Sequence, residues 1–308
     1  METTLDAIRT GGKAALARAL ARLESAPDAP ETAALLDAAY AEPAAQVVGM
    51  TGPPGVGKST LMNALIKAWR DRGRRVACIA VDPSSRRSGG ALLGDRTRLT
   101  TDPEDSGIFV RSMAARDRLG GLAGLTVSAM VLMRALYDVV LIETVGVGQS
   151  ETDVAGVADT VLFCVQPGSG DSLQFMKAGI AEIPHLVVVT KADMEAAAAR
   201  ARADVLGALS LAGDDERDGW TVPVLLVSAA RRDGIDELVA GIDAHFAHLA
   251  EGGRLTSARH DQAARWLVDS VRERFGRDGV RRAGDLALRL GESPFRRLAE
   301  VAGRLTVA

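Results

Sequence analysis

Gly52-Pro53-Pro54-Gly55-Val56-Gly57-Lys58-Ser59-Thr60 lies between an apolar run at 46–50 and the helical sequence Leu61-Met62-Asn63-Ala64-Leu65-Ile66. Its spacing is that of the Walker A pattern G-x-x-x-x-G-K-[ST]. A strand that passes through glycines into a helix makes a phosphate cradle. The glycines let backbone N–H groups turn inward, and the helix contributes the positive end of its dipole. Lys58 is then placed to reach the β- and γ-phosphates of a nucleoside triphosphate, and Ser59 to offer a hydroxyl to Mg2+.

Outward from this motif, short β-branched runs alternate with helix-length segments. Candidate strands fall at 46–50, 75–81, 108–111, 139–143, 160–166, 185–190 and 224–229. Strands separated by helices predict an α/β fold of the P-loop NTPase type, with a mostly parallel central sheet flanked by helices on both faces. This body spans 45–250. Residues 1–44 are Ala-rich, with Leu16, Ala19, Leu20 and Leu23 at helical spacing before the break at Pro27 to Pro30, and read as a helical N-terminal extension. Residues 251–308 read as a helical C-terminal extension. Ala264, Leu267, Val268, Val271 and Phe275 form one apolar stripe, and Phe295, Leu298, Val301, Ala302 and Leu305 another, and both need a surface to bury against. This tail is rich in arginine and lacks lysine, which suits either an ion-paired interface or a solvated helix face.

Bulk properties narrow the partners. Of 308 residues, 47% are apolar and 25% charged, and the formal net charge is −3, so electrostatics give no reason to expect nucleic acid. No apolar run approaches the ~20 residues of a spanning helix, which argues against a membrane. The start Met1-Glu2-Thr3-Thr4 lacks the features of a signal peptide, so a cytoplasmic location is expected. Cys78 and Cys164 sit inside apolar runs and read as buried reduced thiols. The histidines His185, His245, His248 and His260 form no clustered ligand set with them.

Triphosphate hydrolysis also needs an acid at a strand end to hold Mg2+ or its water shell. The run at 139–142 leads straight into Glu143-Thr144-Val145-Gly146, where ordinary GTPases have Asp-x-x-Gly with the glycine amide on the γ-phosphate. Glu143 is the candidate acid and Gly146 the candidate amide. Asp82 is similarly placed after the run at 76–81 and opens a polar segment that Asp95 closes, a composition suited to nucleotide-sensing loops. A further strand ends in Thr190-Lys191-Ala192-Asp193, close to the guanine-reading Asn-Lys-x-Asp. The Asp193 carboxylate can accept from guanine N1–H and the 2-amino group, donors that adenine does not offer in that arrangement. Lys191 would lay its stem along the base. Thr190 stands where the pattern has Asn, and a hydroxyl cannot replace all the bridging bonds of an amide. Ser228-Ala229 resembles the loop whose backbone N–H contacts guanine O6.

Taken together, the Walker A run, Val81-Asp82-Pro83-Ser84-Ser85, Gly94-Asp95-Arg96-Thr97-Arg98 and Glu143-Thr144-Val145-Gly146-Val147-Gly148-Gln149-Ser150-Glu151 resemble the MeaB-type GTPases. These are chaperones of methylmalonyl-CoA mutase, in the branch of the SIMIBI P-loop class that carries Glu in its third guanine-nucleotide motif. The likeness covers nearly the whole chain. It implies a GTPase that binds GTP and GDP as a homodimer and that protects, loads or reactivates an adenosylcobalamin-dependent acyl-CoA mutase. The apolar stripes of 251–308, which need a partner surface, mark that extension as the expected dimerisation region. It also implies Mg2+ on Ser59, with Asp82, Asp95 and Glu143 in and around the coordination shell. A segment matching Pro167-Gly168-Ser169-Gly170-Asp171, with Lys177 beyond it, would carry the nucleotide signal. Departures are Thr190 and the sequence Ser172-Leu173-Gln174-Phe175-Met176, which bear on guanine affinity and on the identity of the mutase.

Spacing does not select the residue that orients the attacking water. Gln149, Asp95, Arg86 and Arg87 are all candidates, and the catalytic set expected is Lys58, Asp95, Glu143 and Gln149. Two other functions compete. A metallochaperone GTPase would carry His or Cys clusters near the N-terminus, yet no histidine precedes His185. A P-loop kinase linked to arginine or ornithine transport would need an acceptor-activating base, and none stands out.

Overall fold

In the computed structural model, residues 4–83, 99, 101–115, 124–144, 153–168, 183–212, 216–217 and 219–307 are described. Asp95, Gly146, Gln149, Arg86, Arg87, Lys177 and the signalling stretch from Ser169 onward lie outside them, as does the side chain of Asp82. The chain divides into two compact units, one of Gln46–Leu122 and Asp138–Gly252, the other of Met1–Ala45, Ala123–Tyr137 and Gly253–Ala308.

The first unit is built on one sheet. Its strands are β1 (Gln46–Thr51), β2 (Val76–Pro83), β3 (Ile108–Ala115), β4 (Val139–Glu143), β5 (Thr160–Val165), β6 (Leu186–Val189) and, last in the chain, β9 (Val224–Leu226). They lie in the order β3-β2-β4-β1-β5-β6-β9, and every neighbouring pair is parallel. Each of the seven runs expected to be strands is present. β1, β4, β5 and β6 are buried along their whole length, as near-continuous apolar runs in a sheet covered on both faces must be. Side chains alternate between two cores. Val48, Met50, Leu141, Leu162, Cys164, Leu186 and Val188 pack with α3 (Lys58–Asp71) and α6 (Ile235–Ala250). Phe163, Val165, Val187 and Val189 face the other way, onto Ala198, Val205 and Leu209 of α5 (Glu195–Ala212).

The helix that follows the glycine-rich run buries Leu61, Met62, Leu65, Ile66 and Trp69, the spacing of one helical stripe. Its far end is clamped, because Arg70 makes a two-pronged ion pair with Asp105, with both contacts at 2.9 Å. An antiparallel pair of two-residue strands, β7 (Glu216–Arg217) and β8 (Trp220–Thr221), precedes β9.

The second unit is helical: α1 (Leu5–Ser25), α2 (Pro30–Ala41), α4 (Gly124–Arg134), α7 (Arg254–Ala283) and α8 (Pro294–Val307). Leu16, Ala19, Leu20 and Leu23 are buried, as their spacing predicts. The central residues of both C-terminal stripes are buried within the chain itself, while Ala264, Val268, Phe275 and Ala302 are half-buried. Leu267, Val271, Leu298, Val301 and Leu305 share one core, with Tyr40 of α2 packed against it. Asp37 of α2 pairs with Arg296 at 3.0 Å and accepts from Ser293, and Asp28 pairs with Arg274, so several arginines of the tail are spent on internal ion pairs. No helix among the described residues is long and apolar enough to cross a membrane.

Candidate nucleotide site

All seven strands of the sheet point the same way, so the loops leaving their C-terminal ends gather at one edge, where ligands bind in open α/β sheets. The Walker A run leaves β1 there. Gly52 takes φ 138°, and a Cβ at this position would sit 2.3 Å from the Cys164 carbonyl oxygen of β5. The loop therefore starts pressed against the neighbouring strand, in a geometry open to glycine alone. Gly55 and Gly57 also have positive φ, and Val56 between them is fully buried, which pins the loop from below. Pro54 and Gly55 face outward.

Lys58 is the first residue of α3 and is 7% exposed. Its ammonium donates to the Gly52 oxygen at 2.7 Å and the Pro53 oxygen at 3.0 Å, so the cation is held at the mouth of the loop. Ser59 donates its hydroxyl to Glu143 Oε1 at 2.9 Å. The register of β1 and β4, with Met50 opposite Glu143, brings that carboxylate to the start of the loop. Thr144 closes the junction, with its N–H on the Met50 oxygen at 3.2 Å and its hydroxyl 3.3 Å from that of Thr51. On the other side of β4, Ala80 is opposite Glu143, so the Asp82 backbone stands two residues further along at the end of β2. Hydroxyl and carboxylate oxygens together are the hard donors that Mg2+ prefers.

The second half of the site lies across β5. Thr190 follows β6 and is buried, with its N–H on the Val165 oxygen at 2.8 Å. Its hydroxyl lies 2.7 Å from the Val56 oxygen and 3.0 Å from the Val165 oxygen, so it ties the base loop to the phosphate loop and to β5 with the one proton it has. Lys191 adopts φ 54° and donates to the Gly55 oxygen at 3.2 Å and to Gln166 Oε1. Asp193 is exposed, and its Oδ1 accepts from the Ser228 hydroxyl at 2.8 Å. That bond, together with a backbone bond within Asp193, holds its carboxyl below the usual carboxylate range. The carboxylate has acceptor capacity beyond the Ser228 bond. The N–H of Ser228 itself bonds the Asp233 oxygen at 3.0 Å and so is already used within the chain.

The structure thus brings Lys58, Ser59 and Glu143 together at one end of this edge, and Thr190, Lys191, Asp193 and Ser228 together at the other. One participant had no motif to announce it, and another takes part through a different group from the one its motif named. Gln166 reaches Lys191 from the end of β5, and Ser228 acts through its hydroxyl, where the sequence pointed to its backbone.

Both cysteines are free and buried. Burial raises the Cys78 thiol far above its ordinary value and the Cys164 thiol to about 12, so neither is a nucleophile at neutral pH. At the opposite ends of the strands, His185 and His245 stack at 4.3 Å between centroids, and His248 lies 6.4 Å from His245. These three histidines do assemble, on each other and on Trp220, although among the described residues no group of three His, Cys, Asp or Glu is arranged to hold a metal ion.

Comparison with known proteins agrees with this fold. The family described as methylmalonyl Co-A mutase-associated GTPase MeaB matches residues 16–282. The GTPase ArgK of Escherichia coli is 37% identical over 272 residues, covering 86% of this chain and 82% of that protein. The mouse methylmalonic aciduria type A homolog, a mitochondrial protein, is 38% identical over 229 residues, covering 73% of this chain and 55% of that protein. A crystal structure of an LAO/AO transport system kinase superposes with a TM-score of 0.67 at 29% identity, covering 98% of this chain and 96% of that one.

Proposed function

Because the chain belongs to the MeaB family of methylmalonyl-CoA mutase-associated GTPases, we propose that it binds GTP with Mg2+ across this sheet edge and hydrolyses it. In this reading the GTP and GDP states gate cofactor loading, protection or reactivation of an adenosylcobalamin-dependent acyl-CoA mutase such as methylmalonyl-CoA mutase. The observation that carries the chemistry is the Ser59–Glu143 contact at 2.9 Å beside the Lys58 ammonium. A hydroxyl, a carboxylate and a cation meet where a strand turns into a helix N-terminus.

Lys58 would exchange the loop carbonyls for β- and γ-phosphate oxygens, and Ser59 would turn its hydroxyl oxygen toward the metal. Glu143 and Asp82 would complete or hydrogen-bond the coordination shell, with Asp95 joining from the first polar loop. Mg2+ held by these residues would supply the positive charge that offsets what develops on the phosphates. The Gly146 amide and the Gln149 side chain are assigned to the γ-phosphate and to the attacking water. Gly52 to Thr60 cradle the phosphates, and Asp193, Lys191, Thr190, Ser228 and Ala229 read guanine.

Homodimerisation through 251–308 and a cytoplasmic location belong to the same proposal, with the mouse relative's name and the family description as support for the mutase. The name of the transport-system kinase favours a second reading, in which the γ-phosphoryl group passes to an amino-acid-linked acceptor. Incubation with γ-labelled GTP, Mg2+ and candidate acceptors, arginine and ornithine included, separates the two. Label released as inorganic phosphate whatever acceptor is present supports the GTPase, and label on an acceptor supports the kinase.

A further inference from the structure

Two consecutive residues of the base loop are each tied to the same two elements. Thr190 reaches the phosphate loop at the Val56 oxygen and β5 at the Val165 oxygen, and Lys191 reaches the phosphate loop at the Gly55 oxygen and β5's next residue at Gln166 Oε1. Three of these four acceptors are backbone carbonyls. Gln166 is the one side chain in the set.

Lys191 also needs this support more than its neighbour. It is one of two non-glycine residues with positive φ among those described, a conformation that persists only where surrounding contacts over-determine it. Its side chain is exposed, so without a second anchor the long stem would sample many rotamers. With the ammonium fixed between Gly55 and Gln166, the stem is stretched across the gap between phosphate loop and β5, the surface that the guanine reading gives to the base.

We propose that Gln166 is a positioning residue for guanine recognition, acting by holding the Lys191 side chain in its base-covering conformation. This rests on the guanine reading of the 190–193 loop. The role is conformational rather than catalytic: Gln166 need not touch the nucleotide.

The test is a double-mutant cycle read by GDP and ADP dissociation constants, with thermal midpoints recorded in parallel. Gln166→Met keeps the length and bulk of the side chain and removes the acceptor, and Gln166→Glu keeps an acceptor. Gln166→Met should weaken GDP about threefold to tenfold, the net worth of one ordinary hydrogen bond, with an unchanged thermal midpoint. Gln166→Glu should retain wild-type affinity. In a Lys191→Met background, Gln166→Met should have no further effect. Unchanged GDP affinity in Gln166→Met, or an equal loss with Lys191 already removed, overturns the inference while leaving the guanine reading intact. A wild-type protein that binds ADP as tightly as GDP overturns both.

Discussion

Lys58 and Asp193 are the residues on which the two halves of the site turn. The Lys58 ammonium is nearly buried, and it donates to the carbonyl oxygens of Gly52 and Pro53, weaker partners for a cation than phosphate. Lys58→Ala should therefore lower GTP affinity on the order of a hundredfold or more and leave the thermal midpoint nearly unchanged. Titration with a fluorescent GTP analogue checks it, and wild-type affinity would place the phosphates elsewhere. Asp193→Asn should weaken GTP about tenfold to a hundredfold and improve xanthosine triphosphate, since an amide can donate to a 2-oxo group where the carboxylate accepts from an amine. Competition between the two nucleotides reads this directly. Lys58, Ser59, Glu143 and Asp193 were legible because phosphate and guanine chemistry demand those residue types at fixed distances from strand ends. Gln166 was not, since a glutamine at the end of an apolar run has no distinctive spacing. The hydroxyl role of Ser228 depends on β6 and β9 being neighbours, which sequence order does not state.

Among the elements, the seven sheet strands could be read because each is a compact apolar run between helix-length segments. The β7–β8 pair could not, because two residues per strand leave no periodicity to detect. The histidine stack was equally hidden, since its members come from the start of β6 and from α6, far apart in the chain. His245 is 1% exposed, and its Nδ1 lies 2.8 Å from the buried Thr160 hydroxyl. The neighbouring His185 accepts the Val161 N–H on its own Nδ1 at 2.9 Å, which requires that nitrogen to be unprotonated. Burial first, then the adjacent His185 and His248, push the His245 pKa down to about 3. Its folded value thus lies below the unfolded ~6.5, so below that pH the unfolded chain takes up the extra proton. This contribution to stability is complete above pH ~6.5 and is lost progressively as the pH falls toward 3. From pH 6.5 to 5 the loss should be about 2 kcal/mol, measurable as a falling urea midpoint. His245→Asn should flatten that dependence. A wild-type midpoint that does not move between pH 7 and 5 would show that His245 is not held neutral in the fold.

For the whole molecule, the chain order of the helices hides their grouping. Segments from the start, middle and end of the sequence make up the helical unit, and only folding brings them together. Leu267, Val271, Leu298, Val301 and Leu305 of the C-terminal stripes are covered by the chain's own helices, so a dimer formed through this extension would use other surface of it. Sedimentation of the full chain should show a dimer at micromolar concentration, and a monomer throughout that range would refute the homodimer. A switch requires more than assembly. A mutase that binds the GTP and GDP states differently must, by linkage, change nucleotide affinity in return. Hydrolysis should depend on it as well, because a missing stabiliser of transition-state charge can cost ~10³–10⁵ in rate when it is an arginine finger. The most direct measurement is single-turnover hydrolysis of GTP with Mg2+, in the presence and absence of an adenosylcobalamin-dependent acyl-CoA mutase. Slow basal turnover that the mutase accelerates, with no comparable turnover of ATP, is the predicted result; fast turnover indifferent to the mutase would contradict it.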